Sequence, residues 1–119
     1  MSDNIKSDLG ERLKHLRITN NCTQKEIAEY LNITLRAYQY YEVGERFPSI
    51  ETIIALSKKY KIPFLEVLFD KAPLERITLT FKGEEETALS KALSEKANNF
   101  GLSSNEIISY ILLSHTFNN

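Results

Sequence analysis

The chain has 119 residues, enough for one ordinary domain or two very small ones. Apolar residues make up 42% and charged residues 26%, the balance of a soluble globular protein. The single cysteine, Cys22, excludes an internal disulfide and a multi-cysteine zinc site, and His15 and His115 stand far apart, so no metal or other cofactor is expected. The first ten residues are polar, and no apolar run is long enough to span a bilayer, which points to a cytoplasmic protein without a membrane segment. A net charge of −1 does not announce a polyanionic partner, although a local basic surface would suffice for one. Residues 1–73 hold 11 Lys+Arg against 10 Asp+Glu, and residues 74–119 hold 4 against 6. The first part is therefore better placed to meet phosphate.

Leu9, Leu13 and Leu16 recur at helical spacing and predict a first helix over residues 7–19, ended by Asn20 and Asn21. Thr23 and Glu26 form a T-x-x-E capping box ahead of Ile27, Ala28 and Leu31. Asn32 interrupts that pattern, and Thr34 offers a second N-cap two residues later. A third helix is expected over residues 35–43, stopped by Gly44. Two short helices joined by so tight a turn make a helix-turn-helix, whose second helix enters the DNA major groove. Ser49 predicts the N-cap of a fourth helix with Ile50, Ile53, Ile54 and Leu56 as its stripe. Ile62 and Pro63 break it, and Pro63 suits the first turn of a fifth helix through Phe64, Leu65, Val67 and Leu68.

The matched positions are Leu13, Arg17, Thr23, Gln24, Ile27, Ala28, Ile33, Thr34, Tyr38, Tyr41, Glu42, Gly44, Pro48, Ser49 and Ile50, followed by the Ile62-Pro63 break. In them residues 9–69 resemble the phage repressor and Cro type of helix-turn-helix domain, often called XRE-like. The resemblance implies a five-helix bundle and a buried ion pair between Arg17 and Glu42 that locks the first helix to the recognition helix. It implies DNA phosphate contacts at Gln24, Lys25, Thr34 and Arg46, and base contacts at Leu35, Arg36, Ala37 and Tyr40. Arg36 has the chemistry to bond guanine O6 and N7, and Leu35 and Ala37 could rest against a thymine methyl. Tyr40 could donate to a phosphate or pack on a sugar. Leu35 departs from the polar residue usual in the family. The simpler alternatives make Tyr38 and Tyr41 packing residues, leave Tyr30 and Gln39 solvated, and give Cys22 no catalytic role.

Residues 71–75 read as a linker. Residues 76–82 then alternate strictly, with Ile77, Leu79 and Phe81 on one face and Arg76, Thr78 and Thr80 on the other, which predicts a strand. Glu84, Glu85 and Glu86 open a helix that Gly101 ends, and Ser103 and Glu106 form a capping box for a last helix. A lone strand lacks a ladder partner, and about 40 residues rarely build a core. The strand and the residues Gly101, Leu102, Ser103, Ser104 and Asn105 resemble the ribbon-helix-helix repressors of the Arc and MetJ type. That resemblance implies a homodimer with paired strands.

The expected fold is thus mainly α: a helix-turn-helix DNA-binding domain over 1–70, a linker over 71–75, and a strand-helix-helix over 76–119 that pairs as a dimeric ribbon-helix-helix. The expected function is sequence-specific transcriptional regulation, with repression favoured, by a homodimer on an inverted repeat of double-stranded DNA. The ribbon would serve as a clamp. One alternative lets the ribbon also meet DNA through Arg76, Thr78, Thr80, Ser103 and Ser104. Another, of a different class, is an antitoxin-like module that binds a protein partner. No nucleophile–base pair, partnered carboxylate pair or glycine-rich phosphate loop is visible, so an enzyme is not expected.

Overall fold

The computed structural model describes the backbone of residues 2–69 and 84–118. The first five elements are helices: α1 (Ser2–Thr19), α2 (Gln24–Leu31), α3 (Leu35–Glu42), α4 (Ile50–Tyr60) and α5 (Phe64–Leu68). Among the described residues two further helices follow, α6 (Glu84–Phe100) and α7 (Ser104–Asn118). α1 begins earlier than residue 7, because residues 2–6 contain no glycine or proline to break the helix.

The expected caps form. Thr23 accepts from the Glu26 N–H at 3.0 Å while the Glu26 carboxylate accepts from the Thr23 N–H at 2.9 Å. Thr34 and Ser49 cap α3 and α4 by accepting from the Ala37 and Thr52 N–H groups. Such caps are worth about 1 kcal/mol each.

Five helix ends close with a left-handed residue. Asn21, Asn32, Gly44, Lys61 and Gly101 all have φ between 57° and 81°. In each case the next residue's N–H reaches back five positions, as in Ile33 to the Ala28 carbonyl at 3.0 Å and Ile62 to the Ser57 carbonyl at 3.1 Å. Lys61 gains nothing from its own side chain in this conformation. Its neighbour Ile62 packs against the core, and that packing holds the turn.

The core gathers one face from each helix: Leu13 of α1, Ile27 of α2, Tyr38 of α3, Ile53 and Leu56 of α4, and Val67 of α5 are all fully buried. Each aliphatic side chain among them contributes roughly 1.5–3 kcal/mol relative to exposure. Arg12 fastens α1 to α5 with two hydrogen bonds to the Glu66 carbonyl, at 2.7 and 3.1 Å. Gly10 sets the α1–α3 crossing. A Cβ there would lie 2.3 Å from the Glu42 carbonyl oxygen, so only glycine lets the two backbones approach.

The C-terminal expectation requires correction. Among the described residues every element is a helix. The proposed strand over 76–82, with Ile77, Leu79, Phe81, Arg76, Thr78 and Thr80, and the linker over 71–75 lie outside the described residues. What overturns the dimeric ribbon-helix-helix is the placement of the two last helices. α7 packs on α1 and α5 of its own chain, and Ala97 of α6 and Ile107 of α7 join the same core as Leu13 and Ile53. Tyr110 donates to the Pro48 carbonyl at 2.8 Å. Phe47 stacks against Tyr110 and Phe117, with ring centroids 5.4 and 5.3 Å apart. The apolar side that a ribbon dimer would bury between subunits is thus spent inside one chain. Ser103 and Glu106 do form the predicted capping box. Both Ser103 and Ser104 are exposed, and the Ser103 hydroxyl serves as the cap of α7.

Gly10→Ala should destabilise the fold by about 1–3 kcal/mol in denaturant unfolding, despite the higher helix propensity of alanine. A neutral or stabilised variant would contradict the close α1–α3 approach.

Candidate nucleic-acid interface

The site is built around α3. Arg17, late in α1, bonds the Glu42 carboxylate from Nε at 2.6 Å and from its second terminal nitrogen at 3.2 Å. Its remaining terminal nitrogen donates to the Cys22 carbonyl at 2.9 Å. The pair is nearly sealed from water, with side-chain exposures of 12% for Arg17 and 3% for Glu42. The expected lock between the first and third helices is present in this geometry.

Gln24 completes it. Its amide donates to Glu42 at 3.0 Å and accepts from Gln39 at 3.2 Å. The side chain expected to meet phosphate is thus part of the lock, which takes one of its two amide hydrogens. Only the backbone N–H groups of Gln24 and Lys25, in the first turn of α2, remain without helical partners. Gln39 is exposed, as expected, and also joins this network. Tyr30 is also anchored, donating to the Ala55 carbonyl at 3.2 Å with the Lys59 ammonium 5.2 Å from its ring.

Burial alone would push the Glu42 carboxyl up, but the hydrogen bonds from Arg17 and Gln24, with the nearby Tyr38 hydroxyl, outweigh it and hold the group below its ordinary 4.5. The hydrogen bond to Glu42 raises Arg17 in turn, against the opposing effect of its burial. Burial raises Tyr38 and Tyr60 strongly, so both phenols stay neutral beside the pair. The Tyr38 hydroxyl influences Glu42 through proximity, without a hydrogen bond of acceptable geometry.

The exposed edge of α3 carries the residues expected to read bases. Leu35 and Arg36 are exposed, and Ala37 and Tyr40 are half-buried. An open hollow is lined by Leu35, Arg36, Gln39, Tyr40, Val43 and Glu45. Val43, 64% exposed, was no part of the expected edge. No sequence signal marks it, because an apolar residue at a helix end reads as a core residue until its exposure is seen. Thr34 and Lys25 are exposed beside the edge. The Thr34 oxygen accepts from the Ala37 N–H, which leaves its hydroxyl hydrogen free to donate. Arg46 folds back so that its guanidinium lies 4.5 Å from the Tyr40 ring centroid. Leu35, Arg36 and Tyr40 therefore line one hollow with Arg46 folded onto it, while the Gln24 side chain joins the lock behind; Arg76, Thr78 and Thr80 of the ribbon expectation lie outside the described residues.

Two helices in this arrangement, with a solvent-facing second helix braced from behind, define a helix-turn-helix. Residues 13–67 match the family model described as helix-turn-helix. The chain is 33% identical over 95 residues to an HTH-type transcriptional regulatory protein of Pyrococcus furiosus, covering 79% of this chain and 30% of that one. It is 43% identical over 54 residues to the HTH-type transcriptional regulator ImmR of Bacillus subtilis, covering 45% and 42% of the two chains. It is 30% identical over 59 residues to the cryptic phage CTXphi transcriptional repressor RstR of Vibrio cholerae, covering 50% and 53%. The chain thus spans about a third to a half of the length of these relatives. Among the described residues no helix is long and apolar enough to cross a membrane.

The depressed Glu42 carboxyl has a consequence for stability. Between its folded and unfolded pKa values the unfolded chain binds the extra proton, so stability rises with pH across that window. The contribution is complete above the ordinary value of 4.5 and is lost as pH falls through the folded value. Wild type should therefore lose stability more steeply than Glu42→Gln on acidification below that value, as read by thermal melts. Parallel pH profiles would contradict the assignment.

Proposed function

We propose that this chain is a sequence-specific DNA-binding transcriptional regulator that acts as a repressor. α3 lies in the major groove, and the backbone N–H groups at the start of α2, with Lys25, Thr34 and Arg46, hold the flanking phosphates. The observation that carries this reading is the exposed α3 edge, which bears Arg36 and is braced by the Arg17–Glu42–Gln24 network at its back. The match of residues 13–67 to helix-turn-helix domains supports it. Phosphate contacts orient the helix, and the base edges supply discrimination.

Two copies act together on an inverted repeat. α3 has eight residues and is about 12 Å long, so one copy reaches only a few base pairs. Specific binding typically exceeds non-specific binding by about 4–10 kcal/mol, with roughly 1–3 kcal/mol from each base pair read. A second copy on a twofold-related half-site, about one helical turn away, supplies the remainder. Occupancy of such a site excludes polymerase, which is sufficient for repression.

Selection of bound DNA from a random pool tests the reading. The expected result is an enriched inverted repeat. Arg36→Ala should cost about 1–3 kcal/mol of discrimination at one position in each half-site and leave the other positions unchanged. Arg46→Ala should weaken binding uniformly across sequences and lower the salt slope by about two, one for each copy on the inverted repeat. A pool with no enriched sequence would overturn the proposal. So would an Arg36→Ala variant with wild-type preferences.

A further inference from the structure

Tyr40 stands between the two arginines of the interface and touches both. Its hydroxyl accepts a hydrogen bond from Arg36 Nε at 2.9 Å. The Arg36 guanidinium carbon lies 5.7 Å from the ring centroid, and that of Arg46 lies 4.5 Å away. The backbone repeats the connection, because the Glu45 and Arg46 N–H groups both donate to the Tyr40 carbonyl, at 2.9 and 3.3 Å. The turn at Gly44 thus folds the Arg46 loop back onto the residue that also holds Arg36.

We infer that Tyr40 is a positioning residue that presents Arg36 to a guanine and anchors Arg46 beside it, and that it does not itself read a base. This rests on the DNA-reading function proposed above. Arginine offers five N–H donors in a planar fork. The Nε–H bond to Tyr40 occupies one side of that fork and leaves the two terminal nitrogens, the pair that spans guanine O6 and N7. An exposed arginine otherwise samples many rotamers, and ordering it on binding subtracts from affinity. The phenol oxygen sets part of that order before DNA arrives. The ring face attracts the Arg46 cation independently of the hydroxyl. Tyr40 therefore separates into two functions, a hydroxyl that serves base readout and a ring that serves backbone contact.

The two functions predict different losses. Tyr40→Phe removes the hydroxyl and keeps the ring. It should reduce discrimination at the base pair read by Arg36 by roughly three- to tenfold, the effect of freeing one long side chain, with an unchanged salt slope. In an Arg36→Ala background the same substitution should change nothing further at that base pair. Tyr40→Leu removes the ring as well, and should also lower the salt slope by about two, one per copy, as Arg46 loses its support. The measurement is competitive binding of the full chain to a selected site and its single-base variants across a salt series.

Undiminished discrimination in Tyr40→Phe overturns the inference. So does a uniform loss of affinity with preferences intact, which would make Tyr40 a direct backbone contact. An unchanged salt slope in Tyr40→Leu overturns the anchoring of Arg46. Failure of the wild-type chain to prefer any sequence would remove the function proposed above together with this inference, and is distinguishable from the other outcomes.

Discussion

The ion pair between Arg17 and Glu42 is the constraint on which the rest of the interface depends. A helix of eight residues has little stability of its own and no intrinsic orientation. α3 gains both by being held from behind. Glu42 sits near its C-terminal end and receives donors from α1 and from α2, so one carboxylate indexes three helices. Taking two charges out of water is costly, and apolar substitutes are often equally stable. What the pair adds is direction. Its bidentate geometry and the Gln24 amide favour one rotation of α3, and that rotation turns Leu35, Arg36 and Tyr40 outward. Gly10 belongs to the same constraint, since the α1 backbone must lie against the end of α3 for Arg17 to reach Glu42.

The first half was legible because its signals are local. Capping residues lie three positions from the N–H groups they satisfy, and the stripes of α1, α2 and α4 repeat at the helical period. The lock came from the resemblance, because Arg17 and Glu42 are 25 positions apart and no periodicity joins them. The Gln24 bond to Glu42 also has no periodic signal, because the two residues are 18 positions apart. Gly10 and Lys61 left no legible mark. The first depends on a backbone contact across 32 residues, and the second on the burial of its neighbour Ile62.

The second half was misread for a different physical reason. Its helix starts and its glycine stop were correct, because the Ser103–Glu106 box and the positive φ of Gly101 are local features. The error lay in treating 76–119 as a unit that needs a second copy, because a lone strand lacks a ladder partner and about 40 residues rarely build a core. The answer lay in the same chain. Tyr110 and Phe117 meet Phe47 and the Pro48 carbonyl, and α7 packs along α1 and α5. Composition cannot distinguish these outcomes, because either one buries the same side chains. The consequence is mechanical: the loop that follows α3 is clasped by α7.

The account therefore predicts that α3 is held by a coupled network and not by separate contacts of equal effect. A double-mutant cycle on Arg17→Ala and Glu42→Ala, measured by denaturant unfolding, tests this most directly. Each single variant strands a buried charge and should cost about 3–5 kcal/mol, and the double variant should cost well below their sum, with a coupling of at least about 2 kcal/mol. Additive losses would contradict the account, because the two charges would then act independently and nothing would fix the direction in which α3 presents Arg36.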